Sequence, residues 1–391
     1  MSRETTVDMF ENPPSPRSDS VKWEFARRIS SDLEPYWVAD MDFPAPKAVT
    51  DALRDRVDHG LLGYTFARDS VFEAFSDWQE QRFGVRPPQH WAWISGVMAG
   101  ARAAVSLYAN EGDSVIVQTP VYFPFMDAVE GQGRSLAVNQ LTHDGTRYRF
   151  DLDDLERKAA AGARVLLLCS PHNPVGRVWE DGELQQVIDV CRRYSIVLVS
   201  DEIHGDLVMP GQPFVPTDSL DTDGLTVITL SSATKTFNIP GLPGAICTAG
   251  NQETIDLIKK YMHTVGADTP NVLTLAAVEA AYRHGAQWLD AAMQYVSNTA
   301  AEVREIFEKS GAPVTVEPLE GTYLLWIRCE RVSIDDARLR EQLQHEAGAW
   351  LVEGSKFGPG GAGALRMNVA APRQRVCDAA RRIARVLETK A

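Results

Sequence analysis

The middle of the chain predicts an α/β fold, a mainly parallel sheet with helices on both faces. Two observations carry that expectation. Apolar runs of strand length recur at Ser114–Val117, Val165–Cys169, Ile196–Ser200, Thr226–Leu230 and Gly244–Thr248. Between the second and third lies Asp181 to Tyr194, where Leu184, Val187, Ile188 and Cys191 fall at i, i+3, i+4 and i+7, with Asp181 as the expected N-cap. Strand, helix and strand at this spacing form a crossover unit, and a crossover joins parallel strands.

The C-terminal third reads differently. It has a helical stretch from Ser333 to Ala347, strand-like runs at Tyr323–Ile327 and Leu365–Val369, and a final helix with Val376, Ala380, Ile383 and Leu387 on one side. Gly358-Pro359-Gly360-Gly361 punctuates the approach to the second run. These elements predict a smaller α+β domain. A long, alanine-rich helical pattern from Thr274 to Lys309 is expected to join the two parts. The expected division is an N-terminal arm and small-domain segment at 1–45, a large domain at 46–280 and a small C-terminal domain at 281–391.

Composition narrows the function classes. With 391 residues, 44% of them hydrophobic, the chain can bury a large core. A net charge of −14 argues against nucleic acid, whose binding depends on a basic face. No apolar stretch approaches the ~18 residues that span a bilayer. Met1 to Ser20 lacks the apolar centre of a signal peptide and reads as a polar arm bearing Pro13, Pro14 and Pro16. The five cysteines are scattered, with no Cys-x-x-Cys pair and no His/Cys metal spacing, as expected of reduced thiols in a cytoplasmic protein without a metal.

Ligands of open α/β sheets bind beyond the carboxyl ends of the strands, and here those ends carry one coherent set of groups. Lys235 follows the Thr226–Leu230 run, among the hydroxyls of Ser231-Ser232-Ala233-Thr234-Lys235-Thr236. An amine held at the mouth of a sheet is the layout of a Schiff-base lysine, although most lysines are simply solvated. Asp201 and His204 follow Ile196–Ser200, Asn173 follows Val165–Cys169, and Tyr122 follows Ser114–Val117. Pyridoxal 5′-phosphate needs such a set: an amine, a carboxylate for the ring nitrogen, donors to the ring hydroxyl, a stacking face and phosphate donors. Asp201 fits the carboxylate, because a negative charge raises the ring nitrogen's pKa. His204 and Asn173 fit the hydroxyl donors, and Tyr122 the stacking ring. Ser232 and the backbone amides of Val97 and Met98, which open a helix, fit the phosphate. An aspartate after a strand is ordinarily a helix cap, and an aromatic after a Thr-Pro turn ordinarily packs. The four strand ends in order outweigh those readings.

The same segments resemble fold-type I pyridoxal-phosphate enzymes of the class I/II aminotransferase superfamily, over nearly the whole chain. More narrowly the chain resembles the MalY/PatB-type cystathionine β-lyases, or cysteine C–S lyases. The resemblance rests on Pro35-Tyr36-Trp37-Val38-Ala39-Asp40-Met41-Asp42-Phe43-Pro44, Pro171-His172-Asn173-Pro174-Val175-Gly176-Arg177-Val178-Trp179, Asp201-Glu202-Ile203-His204 and Leu365-Arg366-Met367-Asn368. It implies that Lys235 bonds the cofactor and that Arg366 binds the substrate α-carboxylate, where sequence alone would put a surface arginine. It also implies that Tyr64 reaches the phosphate of a neighbouring subunit, in a homodimer with shared active sites. The implied reaction is β-elimination from cystathionine or another S-substituted L-cysteine to give a thiol, pyruvate and ammonia. The alternatives are an aminotransferase built on the same residues, or a lyase or deaminase for a specialised cysteine S-conjugate.

Three positions depart from the pattern. Pro243 stands where many class I aminotransferases hold the phosphate with an arginine, Gly96 to Gly100 is unusually small and glycine-rich, and Gly321 stands where the lyases commonly carry alanine.

Overall fold

A computed structural model describes residues 8–15, 19–332 and 334–389. Its centre is a seven-stranded sheet of β1 (His90–Ile94), β2 (Ser114–Val117), β3 (Ser135–Val138), β4 (Val165–Cys169), β5 (Val197–Asp201), β6 (Val227–Ser231) and β7 (Ala245–Ala249). The spatial order is β1-β7-β6-β5-β4-β2-β3. The pairs β2–β3, β2–β4, β4–β5 and β5–β6 are parallel, and β7 runs antiparallel to both of its neighbours. Every residue of β4, β5, β6 and β7 is buried, as a sheet covered on both faces requires.

Three strands begin and end one residue later than their apolar runs suggest, and one of these shifts bears on the site. Asp201 is the last rung of β5, level with Cys169 and Leu230 on the neighbouring strands, rather than the first residue of a loop. The helix after β4 is α5 (Asp181–Arg193), and its cap corrects the expectation. Glu180, not Asp181, is the N-cap. Glu180 and Glu183 form a reciprocal capping box, so the longer acid takes the role assigned to its neighbour.

Helix α4 (Val97–Tyr108) lies tightly on the sheet. A Cβ added to Gly100 would sit 2.6 Å from a Leu230 methyl and 2.7 Å from one of Ile94, so the glycine at 100 is a packing requirement, whereas a Cβ at Gly96 would meet nothing within 4 Å. The long alanine-rich pattern is two helices, α7 (Val272–His284) and α8 (Ala286–Ser310). Gly285 stands between them, where Phe237 leaves no room for a Cβ.

The second sheet is antiparallel: β8 (Thr315–Val316), β9 (Leu324–Arg328), β10 (Val352–Glu353) and β11 (Ala364–Asn368), in the order β8-β9-β11-β10. The expected helix beginning at Ser333 starts at Asp336, with Asp335 as its N-cap, and Ser333 lies outside the described residues. The final helix α9 (Arg373–Glu388) packs along α8 and buries Val376, Ala380, Ile383 and Leu387 as its periodicity predicts. The N-terminal arm is less polar in place than in sequence. Phe10 is fully buried against Phe43, Trp288 and Tyr295, and Lys22 is buried in ion pairs with Asp40 and Asp42. Pro13 and Pro14 have no regular structure, and Pro16 lies outside the described residues. Among the described residues, no helix is long and apolar enough to cross a membrane.

Candidate active site

Beyond the carboxyl ends of the parallel strands lies a cavity of about 470 Å³. Val97, Met98, Tyr122, Asn173, Asp201, His204, Ser232, Lys235 and Arg366 all line it, as does Pro243. Tyr64 does not. It is fully exposed on the loop between residues 59 and 68.

Lys235 is aimed by the chain on either side of it. Strand β6 ends at Ser231, Ser232 is extended, and its hydroxyl caps the four-residue helix Ala233–Thr236 by accepting from the Thr234 amide. Asn238 then turns left-handed, a conformation asparagine tolerates, at φ 53°. Its side chain clamps the backbone of Met41 and Phe43. That clamp brings the 37–43 segment across the cavity, where the Lys235 amine donates to the Ala39 carbonyl at 2.6 Å. Burial pushes the amine's pKa down to about 8, partly offset by Asp40 and Asp201.

Asp201 is buried, and one carboxylate oxygen accepts from the Ile203 amide at 3.0 Å. Burial raises its pKa to about 7, against which that hydrogen bond and Lys235 pull downward. His204 is buried and neutral, its pKa pushed down to about 3 by burial and then by the positive charges of Lys235 and Arg366. Its Nδ1 has no hydrogen-bond partner, an unmet need in a buried polar atom.

Arg366 is the clearest departure from the surface arginine that sequence alone suggests. It is buried in β11, donates to Asn173 Oδ1 at 2.9 Å and to the Trp37 carbonyl at 2.8 Å, and lies 4.9 Å above the Phe357 ring. Its Nε has no partner. Burial lowers its pKa to about 10, so it stays charged at neutral pH. Because Asn173 accepts this bond through its oxygen, its amide nitrogen remains the available donor. The half-buried Tyr122 completes one wall. At the far end no side chain caps α4 behind Val97 and Met98, while the Ser232 hydroxyl bonds the Gly244 carbonyl at 2.7 Å. A Cβ at Gly244 would collide with Trp93, so the backbone closes in there. Gly321 is also a close approach, its added Cβ lying 2.8 Å from a Val178 methyl.

The sequence of the "Aminotransferase class I and II" family matches residues 47–383. The chain belongs to this family. Within the family it is 33% identical over 371 residues to cystathionine beta-lyase PatB of Bacillus subtilis, covering 94% of this chain and 96% of that protein. It is 30% identical to protein MalY of Escherichia coli, covering 91% and 92% of the two chains. Cystalysin of Treponema denticola, whose crystal structure contains pyridoxal 5′-phosphate, superposes with a TM-score of 0.93 at 30% identity, covering 97% of this chain and 98% of that one.

The donor set fits such a cofactor. A buried carboxylate raised by desolvation is relieved by a cationic ring nitrogen, and the orphaned His204 Nδ1 and free Asn173 amide suit a ring oxygen. Three further features of the cavity had no motif to reveal them. The Ala39 carbonyl is a backbone atom, Trp350 precedes no recognisable signal, and Lys356 lies in a turn marked only by the glycines after it.

Proposed function

We propose that this chain is a pyridoxal 5′-phosphate-dependent carbon–sulfur lyase. It breaks the Cβ–S bond of cystathionine or another S-substituted L-cysteine and yields a thiol, pyruvate and ammonia. The observation that carries this reading is the meeting of Lys235, Asp201 and Arg366, from three separate elements, in one cavity. The cystathionine beta-lyase identity of PatB supports the choice of bond.

When bound, pyridoxal 5′-phosphate supplies an electrophilic carbon for amines and a ring that accepts electrons from the substrate α-carbon. Lys235 anchors it and then, with its amine free, takes the α-proton. A pKa near 8 leaves part of that amine neutral and basic near physiological pH. Asp201 keeps the ring nitrogen protonated. Burial, opposed by the Ile203 hydrogen bond and Lys235, holds the carboxyl near 7, and a cation beside it favours the charged form, so each charge stabilises the other. His204 and Asn173 donate to the ring hydroxyl, and Tyr122 covers the ring face. The amides of Val97 and Met98 bind the phosphate, and Ser232 joins them by turning its hydroxyl away from the Gly244 carbonyl. The C–S electron pair leaves with sulfur, which takes up a proton as the thiol. The remaining 2-aminoacrylate adds water in solution to give pyruvate and ammonia.

Arg366 binds the substrate α-carboxylate through its planar fork of donors. Arg366→Leu is expected to cost about 2–5 kcal/mol of substrate binding, a rise in KM of about 30-fold or more. Cofactor absorbance should persist, because Arg366 stands away from the phosphate-binding groups. An unchanged KM for every S-substituted cysteine contradicts the assignment.

The same reading makes the molecule a cytoplasmic homodimer, divided into an arm at 1–45, a cofactor domain at 46–280 and a small domain at 281–391. Tyr64 then serves the neighbouring subunit's phosphate. In support, Leu61, Leu62 and Phe66 lie near Tyr64 in the chain and are exposed as well, a run of large apolar side chains left in water in the single chain.

A further inference from the structure

Three cations line the cavity, and the lyase reading uses two of them, Lys235 and Arg366. The third is Lys356. It follows β10, whose Val352 pairs with Arg366 itself, so it stands at the carboxylate-binding end of the cavity. The phosphate-binding groups come from the β1–α4 and β6–β7 connections instead.

The turn that carries Lys356 is firmly held. The 3₁₀ turn Gly354–Phe357 is pinned by the Ser355 amide, which donates to Asp336 Oδ2 at 2.6 Å. A Cβ on Gly354 would run into the Gly361 carbonyl, so the chain passes there in one tight conformation. Phe357 is buried beneath Arg366, and Lys356, one residue before it, is half exposed. Its ammonium lies 3.0 Å from Glu353 Oε1, the same oxygen that accepts from Arg340 at 3.1 Å. Arg340 also pairs with Glu341 at 3.1 Å, so the charges at the rim are matched, and what Lys356 offers a ligand is the N–H bonds that Glu353 does not take. Across that rim, Trp37 and Trp350 stack with ring centroids 4.7 Å apart. They give the cavity an apolar wall.

We propose that Lys356 is a specificity-determining residue that binds a carboxylate at the far end of the substrate's sulfur substituent. The inference rests on the lyase reading and names its substrate class, S-substituted L-cysteines whose thioether chain ends in an anion. Arg366 takes the inner carboxylate, the tryptophans flank the methylene chain, and Lys356 takes the outer carboxylate. Glu353, itself fixed by Arg340, holds the ammonium in place through one oxygen and leaves its remaining N–H bonds for the ligand.

The test uses holoenzyme and two substrates of equal chain length, S-(3-carboxypropyl)-L-cysteine and the neutral S-butyl-L-cysteine. Wild type should favour the carboxylate substrate in kcat/KM. Lys356→Met should lower kcat/KM for that substrate by about three- to fivefold, as expected for a half-exposed ion pair, and change the butyl substrate less than about twofold. Lys356→Arg should restore the preference, and the cofactor band should be equal in all three proteins. Three results would overturn the proposal. One is no preference in wild type. Another is an equal loss on both substrates, which would assign Lys356 to the inner carboxylate or to structure. The third is loss of the cofactor band, which would assign it to the phosphate. Cleavage of neither substrate by wild type would instead remove the lyase reading, and the inference with it.

Discussion

Lys235→Ala is expected to abolish turnover while leaving the fold intact. The amine lines a cavity and contributes little to the core, since its one hydrogen bond runs to the Ala39 carbonyl. Loss of proton transfer alone costs about 10²–10⁴-fold, and loss of the cofactor bond adds to it. The protein should also lose the visible near-violet band that borohydride removes from wild type. Circular dichroism and thermal unfolding should change little. The same variant tests the shared site. In a mixed dimer with Lys235→Ala in one chain and Tyr64→Phe in the other, sharing puts both lesions in one site and leaves the second whole, so about half the wild-type activity remains. If each site is built from one chain, the only lysine-bearing site also carries the Tyr64 defect, and activity falls well below half.

Asp201→Asn should be the more damaging of two substitutions at the ring. It exchanges a charge for a neutral amide of the same shape, and each pKa unit lost by the ring nitrogen is about 1.4 kcal/mol of differential stabilisation. Turnover should fall by up to about tenfold per unit while the lysine still holds cofactor. His204→Phe removes one neutral donor and should be milder. The order of the two effects is the readout, taken from kcat at saturating substrate with cofactor occupancy measured separately. A larger loss in His204→Phe would mean that the two roles have been exchanged.

The strand ends were legible because buried strands announce themselves as short apolar runs, and the residues just past them face the ligand by topology. Asp201, His204, Asn173, Tyr122 and Lys235 reach one cavity for that reason. Arg366 was legible only through resemblance. What makes it a buried residue is a pair of partners 193 and 329 positions away, Asn173 and Trp37, and no local pattern reports contacts that distant. The need for glycine at 285 was hidden for a related reason, since the Phe237 ring that fills the space comes from another element. The Glu180 cap was missed on finer grounds. Aspartate is the commoner N-cap, but here a glutamate three residues before another glutamate satisfies both ends of the capping box. Lys356 sits in a turn whose glycines signal a loop without signalling what it carries.

The chemistry itself is tested most directly by incubating the holoenzyme with L-cystathionine and no added keto acid, and measuring pyruvate and thiol together. β-Elimination predicts equal molar amounts of both, accumulating over many turnovers. Pyruvate and thiol that form only when an α-keto acid is supplied, or no thiol at all while the amino group is transferred, would contradict the lyase and leave an aminotransferase built on the same residues.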